Sequence, residues 1–156
     1  PEESCKNETD LLPLVYEAAG FYHYQPENWE STILLPFAPP EAVILYLGTN
    51  DSAYLHLFPE KGAAFQAAYA AFLQKLRSEF PTAFLVCMLG MSSDLDAAPF
   101  IRNVVAAAQQ QDNRPALCDV RSIVGTDFGA NHHPGAVTQR NAAKLLADLL
   151  QKYLPF

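Results

Sequence analysis

Three short stretches of the chain are apolar with almost no polar alternation: Ala42 to Leu47, Ala83 to Leu89 and Ala116 to Val120. Such runs suit strands buried on both faces, and Gly48 and Gly90 close the first two. Between and after them the period changes. Phe65, Tyr69, Phe72, Leu73, Leu76 and Phe80 fall on one face of a helix spanning Gly62 to Phe80, which Pro81 ends. Pro99 to Gln111 reads as a second helix with proline near its first turn. Pro134 to Tyr153 reads as a third, with Val137, Asn141, Leu145, Leu146, Leu149 and Tyr153 roughly in line. Upstream, Asp10 to Ala19 fits a short helix capped by Asp10 and stopped at Gly20. Gly20 to Pro40 mixes Phe21, Tyr22, Tyr24 and Trp29 with prolines and has no clean period, as expected of an irregular loop.

Strands alternating with helices predict right-handed βαβ crossovers, hence an α/β fold: a parallel sheet in a three-layer α/β/α arrangement. The expected organisation is one domain over residues 1–156, with residues 1–41 a loop-rich lead-in. Three strands make a thin sheet, so the chain reads as the second half of a doubly wound domain, incomplete on one edge. The first residue is Pro1 rather than Met, which fits a processed chain or a fragment.

Composition narrows the field. Half of the residues are apolar and 17% are charged, which excludes a disordered segment. A net charge of −7 and a pI near 4.9 argue against nucleic-acid or anionic-membrane partners. No apolar run approaches the ~18 residues of a membrane span. None of the three cysteines has metal-ligand spacing. Cys87 and Cys118 read as small buried hydrophobes, and Cys5 as an exposed thiol or half of a bridge to another chain. Two Asn-x-Ser/Thr sequons, at Asn7 and Asn50, are of a kind common by chance and leave the compartment open.

Ligands of open parallel sheets bind beyond the carboxyl ends of the strands. Three segments are expected there: Gly48-Thr49-Asn50-Asp51, Gly90-Met91-Ser92-Ser93, and Asp127-Phe128-Gly129-Ala130-Asn131-His132-His133-Pro134. Leu47 to Asp51 on a strand tip resembles the third sequence block of the SGNH (GDSL-type) hydrolases, and His133-Pro134 opening the last helix resembles their fifth. The pattern is most similar to the acetyl esterases of carbohydrate esterase family 2. The likeness covers residues 42–156 well and residues 1–41 poorly. It implies serine-type hydrolysis of acyl esters on a carbohydrate, with no metal or organic cofactor. Asn50 would donate to the oxyanion of a tetrahedral intermediate, and His133 would be the general base, with Gly48, Asp51 and Asn131 in support. His132 competes with His133, but Pro134 favours the latter.

The chain also departs from that pattern. Ala130 stands three residues before His133, where most of these hydrolases carry Asp, and Asn131 stands where family 2 often has an acid. Asp127, six before, is the nearby acid, so a backbone carbonyl, Asn131 or nothing orients the imidazole. No Gly-Asp-Ser block occurs. The nucleophile is therefore not identified in this chain: Ser4 is a poor echo, and Ser92 and Ser93 lack a nucleophile elbow. The expectation is that an upstream segment of the same precursor supplies it. Plainer readings stand beside these. Asn50 and Asp51 suit an Asx turn, and His133 suits a helix cap. Trp29 could stack on a sugar or pack the loop, and His23 and His56 read as surface residues. A non-catalytic carbohydrate- or protein-binding domain is the alternative function. A flavodoxin-like receiver is disfavoured, since no phosphate-binding turn or acidic cluster follows the first strand.

Overall fold

The computed structural model describes residues 39–91, 95–112, 114–121, 127–130 and 133–154. All but Pro39 belong to the compact unit Pro40–Phe156, which follows a separate unit, Pro1–Pro39. The described elements run β1 (Ala42–Leu45), α1 (Thr49–Leu57), α2 (Gly62–Glu79), β2 (Phe84–Leu89), α3 (Ala98–Gln109), β3 (Pro115–Asp119) and α4 (Ala136–Leu150). The expected helix at residues 10–19 and the loop to Pro40, with Trp29, lie outside the described residues.

The sheet order is β1-β2-β3, and both pairings are parallel. Ala42 is opposite Phe84 and Leu45 opposite Cys87, while Leu85 is opposite Pro115 and Leu89 opposite Asp119. β2 is central, and all six of its residues are buried. Pro115, which cannot donate to a ladder, sits at the first position of an outer strand, where that loss is tolerated. β1 departs from the expected strand buried on both faces. It is only half-buried and leaves Ile44 44% exposed.

The period of two in β2 separates two helical layers. Phe84, Val86 and Met88 form one core with Ala116, Cys118, Val120 and Ala142, the last from α4. The intervening Leu85 faces the groove between α2 and α3, which it lines with Leu73 and Val104. Leu85 and Leu89 are fully enclosed, a burial that stabilises by about 1.5–3 kcal/mol for each such side chain. On α2 the expected stripe is the buried one at Tyr69, Phe72, Leu73 and Leu76. Arg77 closes this helix by donating to the carbonyls of Phe80 at 3.0 Å and Ala83 at 2.7 Å, a cation where the helix dipole favours one.

Two local readings are corrected. The stretch after Gly48 is not a bare turn but the helix α1, which buries only Ser52 and Leu55. On α4 the inward side is centred on Thr138 and Ala142, whereas Val137 is 50% exposed, Leu145 37% and Tyr153, beyond its end, 52%. Small residues let the helix approach the sheet closely, and Leu146, Leu149 and Leu150 fill the flanks.

Candidate active site

Of the three expected site segments, the first follows β1 and the second begins at Gly90, directly after β2, while the third leads into α4. For the first, Asn50 and Asp51 are the second and third residues of α1, whose N-cap is Gly48, just beyond β1. Gly48 makes the bend with φ 110°, a left-handed conformation that other residues adopt only with strain. A Cβ there would lie 2.8 Å from Ile101 Cδ1, so α3 also presses against this point. Ser52 fixes the bend. Its hydroxyl donates to the Gly48 carbonyl at 2.7 Å and accepts the Ala97 N–H at 3.1 Å, tying α1 to the entry of α3. The end of β2 abuts the same turn: a Cβ on Gly90 would meet Thr49 Oγ1 at 2.7 Å, and the Met91 N–H donates to the Tyr46 hydroxyl at 3.1 Å. Asn50 and Asp51 are exposed above this scaffold. Asp51 is exposed as a residue, yet desolvation by the surrounding protein raises its carboxyl above the usual range.

For the third segment, the far end of the last helix gives the direction. Tyr153 stacks on Phe84 with ring centroids 4.3 Å apart, and Phe84 begins β2. The tail of α4 therefore lies at the amino edge of the sheet. A helix of this length spans about 22 Å, so, running antiparallel to the strands, it is long enough to bring its start, with His133 just before it, towards the carboxyl edge. His133 is exposed. Its loop is closed on itself: the Gly129 N–H donates to the His133 carbonyl at 2.7 Å, the His133 N–H to the Ala130 carbonyl at 3.1 Å, and the Gly135 N–H to the Asp127 carbonyl at 2.7 Å. Phe128 and Pro134 face each other in an antiparallel bridge.

Asp127 takes a place that spacing alone did not show. Its carboxylate accepts the N–H groups of Val137 at 2.9 Å and Thr138 at 3.2 Å, and the Thr138 hydroxyl. The Thr138 hydroxyl first, and then those amides, hold this carboxyl below its usual range. Asp119, ending β3, is held far below that range, chiefly by Arg121 and also by Arg102. His56 is exposed as expected, and its Nδ1 lies 3.1 Å from Asp96 Oδ2. Cys87 and Cys118 are free and buried.

Asn131, His132, Ser92, Ser93, Ser4, Cys5, His23 and Trp29 lie outside the described residues. Among the described residues no cluster of His, Cys, Asp and Glu could hold a metal ion.

No protein-family model matches the chain, and no curated protein matches its sequence. Solved structures do match. A carbohydrate esterase family 2 enzyme with a carbohydrate binding domain, from Corynascus thermopiles (Myceliophthora fergusii), aligns over 94% of this chain and 46% of its own, with 22% identity and a TM-score of 0.69. An active site mutant of a family two carbohydrate esterase from Clostridium thermocellum, in complex with celluohexase, aligns over 74% of this chain and 36% of its own, with 21% identity and a TM-score of 0.61. An acetyl xylan esterase from the rumen bacterium Butyrivibrio proteoclasticus aligns over 60% of this chain and 26% of its own, with 24% identity and a TM-score of 0.51. The chain thus spans less than half the length of these proteins. What it shares with carbohydrate esterases of family 2 is their α/β/α fold, represented here by three parallel strands and the helices around them.

Proposed function

We propose that the chain is part of a serine-type esterase that removes acyl groups, chiefly O-acetyl groups, from a carbohydrate. What carries this reading is that the Asn50 turn follows β1, braced by the buried Ser52 hydroxyl, while the His133 loop precedes α4, whose far end stacks on the start of β2. The solved structures with this fold being carbohydrate esterases supports it.

In this reading a serine from an upstream segment of the same precursor attacks the ester carbonyl carbon while His133 accepts the serine proton. The carbonyl oxygen becomes an oxyanion and accepts a hydrogen bond from Asn50 Nδ2. One such donor contributes about 10²–10³ in rate. Collapse expels the sugar oxygen, which takes the proton back from His133. Water, deprotonated by the same imidazole, then cleaves the acyl-serine and releases acetate. Gly48 and Ser52 fix the main chain that carries Asn50, which limits the reorganisation needed when charge develops.

The test is acetate release from acetylated oligosaccharides by the protein with its upstream segment. Release that a serine-directed phosphonate stops and a chelator leaves untouched is expected. Release that needs a chelatable metal would overturn the proposal.

A further inference from the structure

We propose that Asp127 is the positioning residue for His133, acting as a clasp that closes the 127–135 loop against the start of α4. This rests on His133 being the base of the proposed reaction.

The clasp has two parts. The Asp127 carbonyl takes the Gly135 N–H at 2.7 Å, so the loop begins and ends at one point. The Asp127 carboxylate then reaches beyond that point to the N–H groups of Val137 and Thr138 and to the Thr138 hydroxyl. Gly135, at the N-cap of α4, has no side chain with which to cap it. The helix's free amides therefore depend on an acceptor from elsewhere in the chain, and an anion there is favoured by the helix dipole. Thr138 is 1% exposed, and the Asp127 carboxylate accepts from its hydroxyl, as a buried hydroxyl requires. Gly135 records the same contact independently. A Cβ on it would lie 2.5 Å from Asp127 Oδ2 and 2.6 Å from the Asp127 carbonyl oxygen, so a side chain at 135 and the carboxylate cannot share that space.

Inside the clasp His133 has both of its main-chain groups engaged, its N–H by Ala130 and its carbonyl by Gly129. Only two side-chain torsions remain to the imidazole. Asp127 thereby fixes the main chain that carries the imidazole, without touching the ring itself.

The experiment compares the full chain with Asp127→Asn, Thr138→Val and Thr138→Ser. Asp127→Asn puts an NH₂ where the carboxylate accepts, Thr138→Val removes the hydroxyl, and Thr138→Ser keeps it. Amide exchange at Gly129, His133 and Gly135 is measured against Val86 and Cys87 of β2. The ring signals of His133 are followed by NMR, and kcat and KM on an acetylated oligosaccharide are measured with the upstream segment present. In Asp127→Asn and Thr138→Val the loop amides should exchange on the order of tenfold faster while β2 is unmoved. The His133 ring signals should move from their wild-type positions. A misplacement of the base should lower kcat by roughly 10- to 100-fold with KM nearly constant. Thr138→Ser should restore all three. Should Asp127→Asn fail to fold, Thr138→Val decides. Unchanged loop exchange and ring signals in the folded variants would overturn the proposal, as would an opened loop with undiminished kcat. A chain that shows the loop and ring effects but hydrolyses no ester keeps the clasp and refutes the proposed function.

Discussion

Ser52→Ala is the sharpest probe of how the Asn50 turn is built. The wild-type hydroxyl is buried, the residue being 5% exposed, and it joins two elements far apart in sequence. Its two bonds are not equal in consequence. The Gly48 carbonyl also accepts the Ser52 N–H at 2.9 Å, so it keeps a partner when the hydroxyl is removed. The Ala97 N–H, on a residue 1% exposed, loses the acceptor that holds it at 3.1 Å. A buried donor left unpaired costs about 1–3 kcal/mol. For a chain of this size that corresponds to a fall in Tm of about 2–12 °C. Urea melts followed by circular dichroism measure it, with Ser78→Ala as the control, since Ser78 is exposed on α2 and should change stability by less than about 0.5 kcal/mol. Loss of less than about 0.5 kcal/mol in Ser52→Ala would refute the view that this hydroxyl is the joint between α1 and α3.

Other consequences can be checked on the same protein. Gly48→Ala should cost about 1–2 kcal/mol from the left-handed backbone alone, before the crowding by Ile101 is added, and a neutral melt would contradict that. Asp112, Asp119 and Asp127 are all held below the ordinary carboxylate range, each chiefly by a side-chain hydrogen bond. Folded values below unfolded ones mean that their stabilisation is complete above the unfolded carboxylate value and is lost as pH falls through the folded ones. The raised Asp51 works the other way. The urea midpoint should therefore be level near neutrality and fall below about pH 4, and a midpoint that rises on acidification would contradict the three-to-one balance. Burial pushes the Cys87 thiol up to about 11 and raises that of Cys118. Neither should react with an alkylating reagent at pH 8 until the protein is unfolded, as thiol titration with and without denaturant will show.

The sheet was legible because its strands are nearly pure apolar runs, and α2 carries a clear stripe. Three failures have physical causes. In α1 the sequence Thr49-Asn50-Asp51-Ser52 is rich in residues that favour turns, and the helix buries only Ser52 and Leu55, so no stripe announces it. In α4 the stripe is right in part: Leu146 and Leu149 pack on the sheet core and Tyr153 stacks on Phe84, but Val137 and Leu145 are exposed, and the fully buried positions are the small Thr138 and Ala142. In β1 hydrophobicity overstated burial, because an outer strand shields one side poorly. The candidate site divides in the same way. Asn50 and His133 stand at recognisable places on a strand tip and a helix start. Asp127 and Ser52 act through main-chain partners, the first on Gly135, Val137 and Thr138 and the second on Gly48 and Ala97. Main-chain groups have no residue-type signature, so spacing could not reveal those bonds. The signals that were present are a glycine at 135 and a threonine soon after it.

The central claim is that Asn50 and His133 serve one reaction at the carboxyl edge of the sheet. Acetate release from an acetylated oligosaccharide by the protein with its upstream segment, measured for Asn50→Ala, His133→Ala and the double variant, tests it most directly. The account predicts losses of about 10²–10³ for Asn50→Ala, a larger loss for His133→Ala, and a double variant scarcely worse than His133→Ala, because residues that act as a unit are not additive. Release that survives His133→Ala undiminished would contradict it.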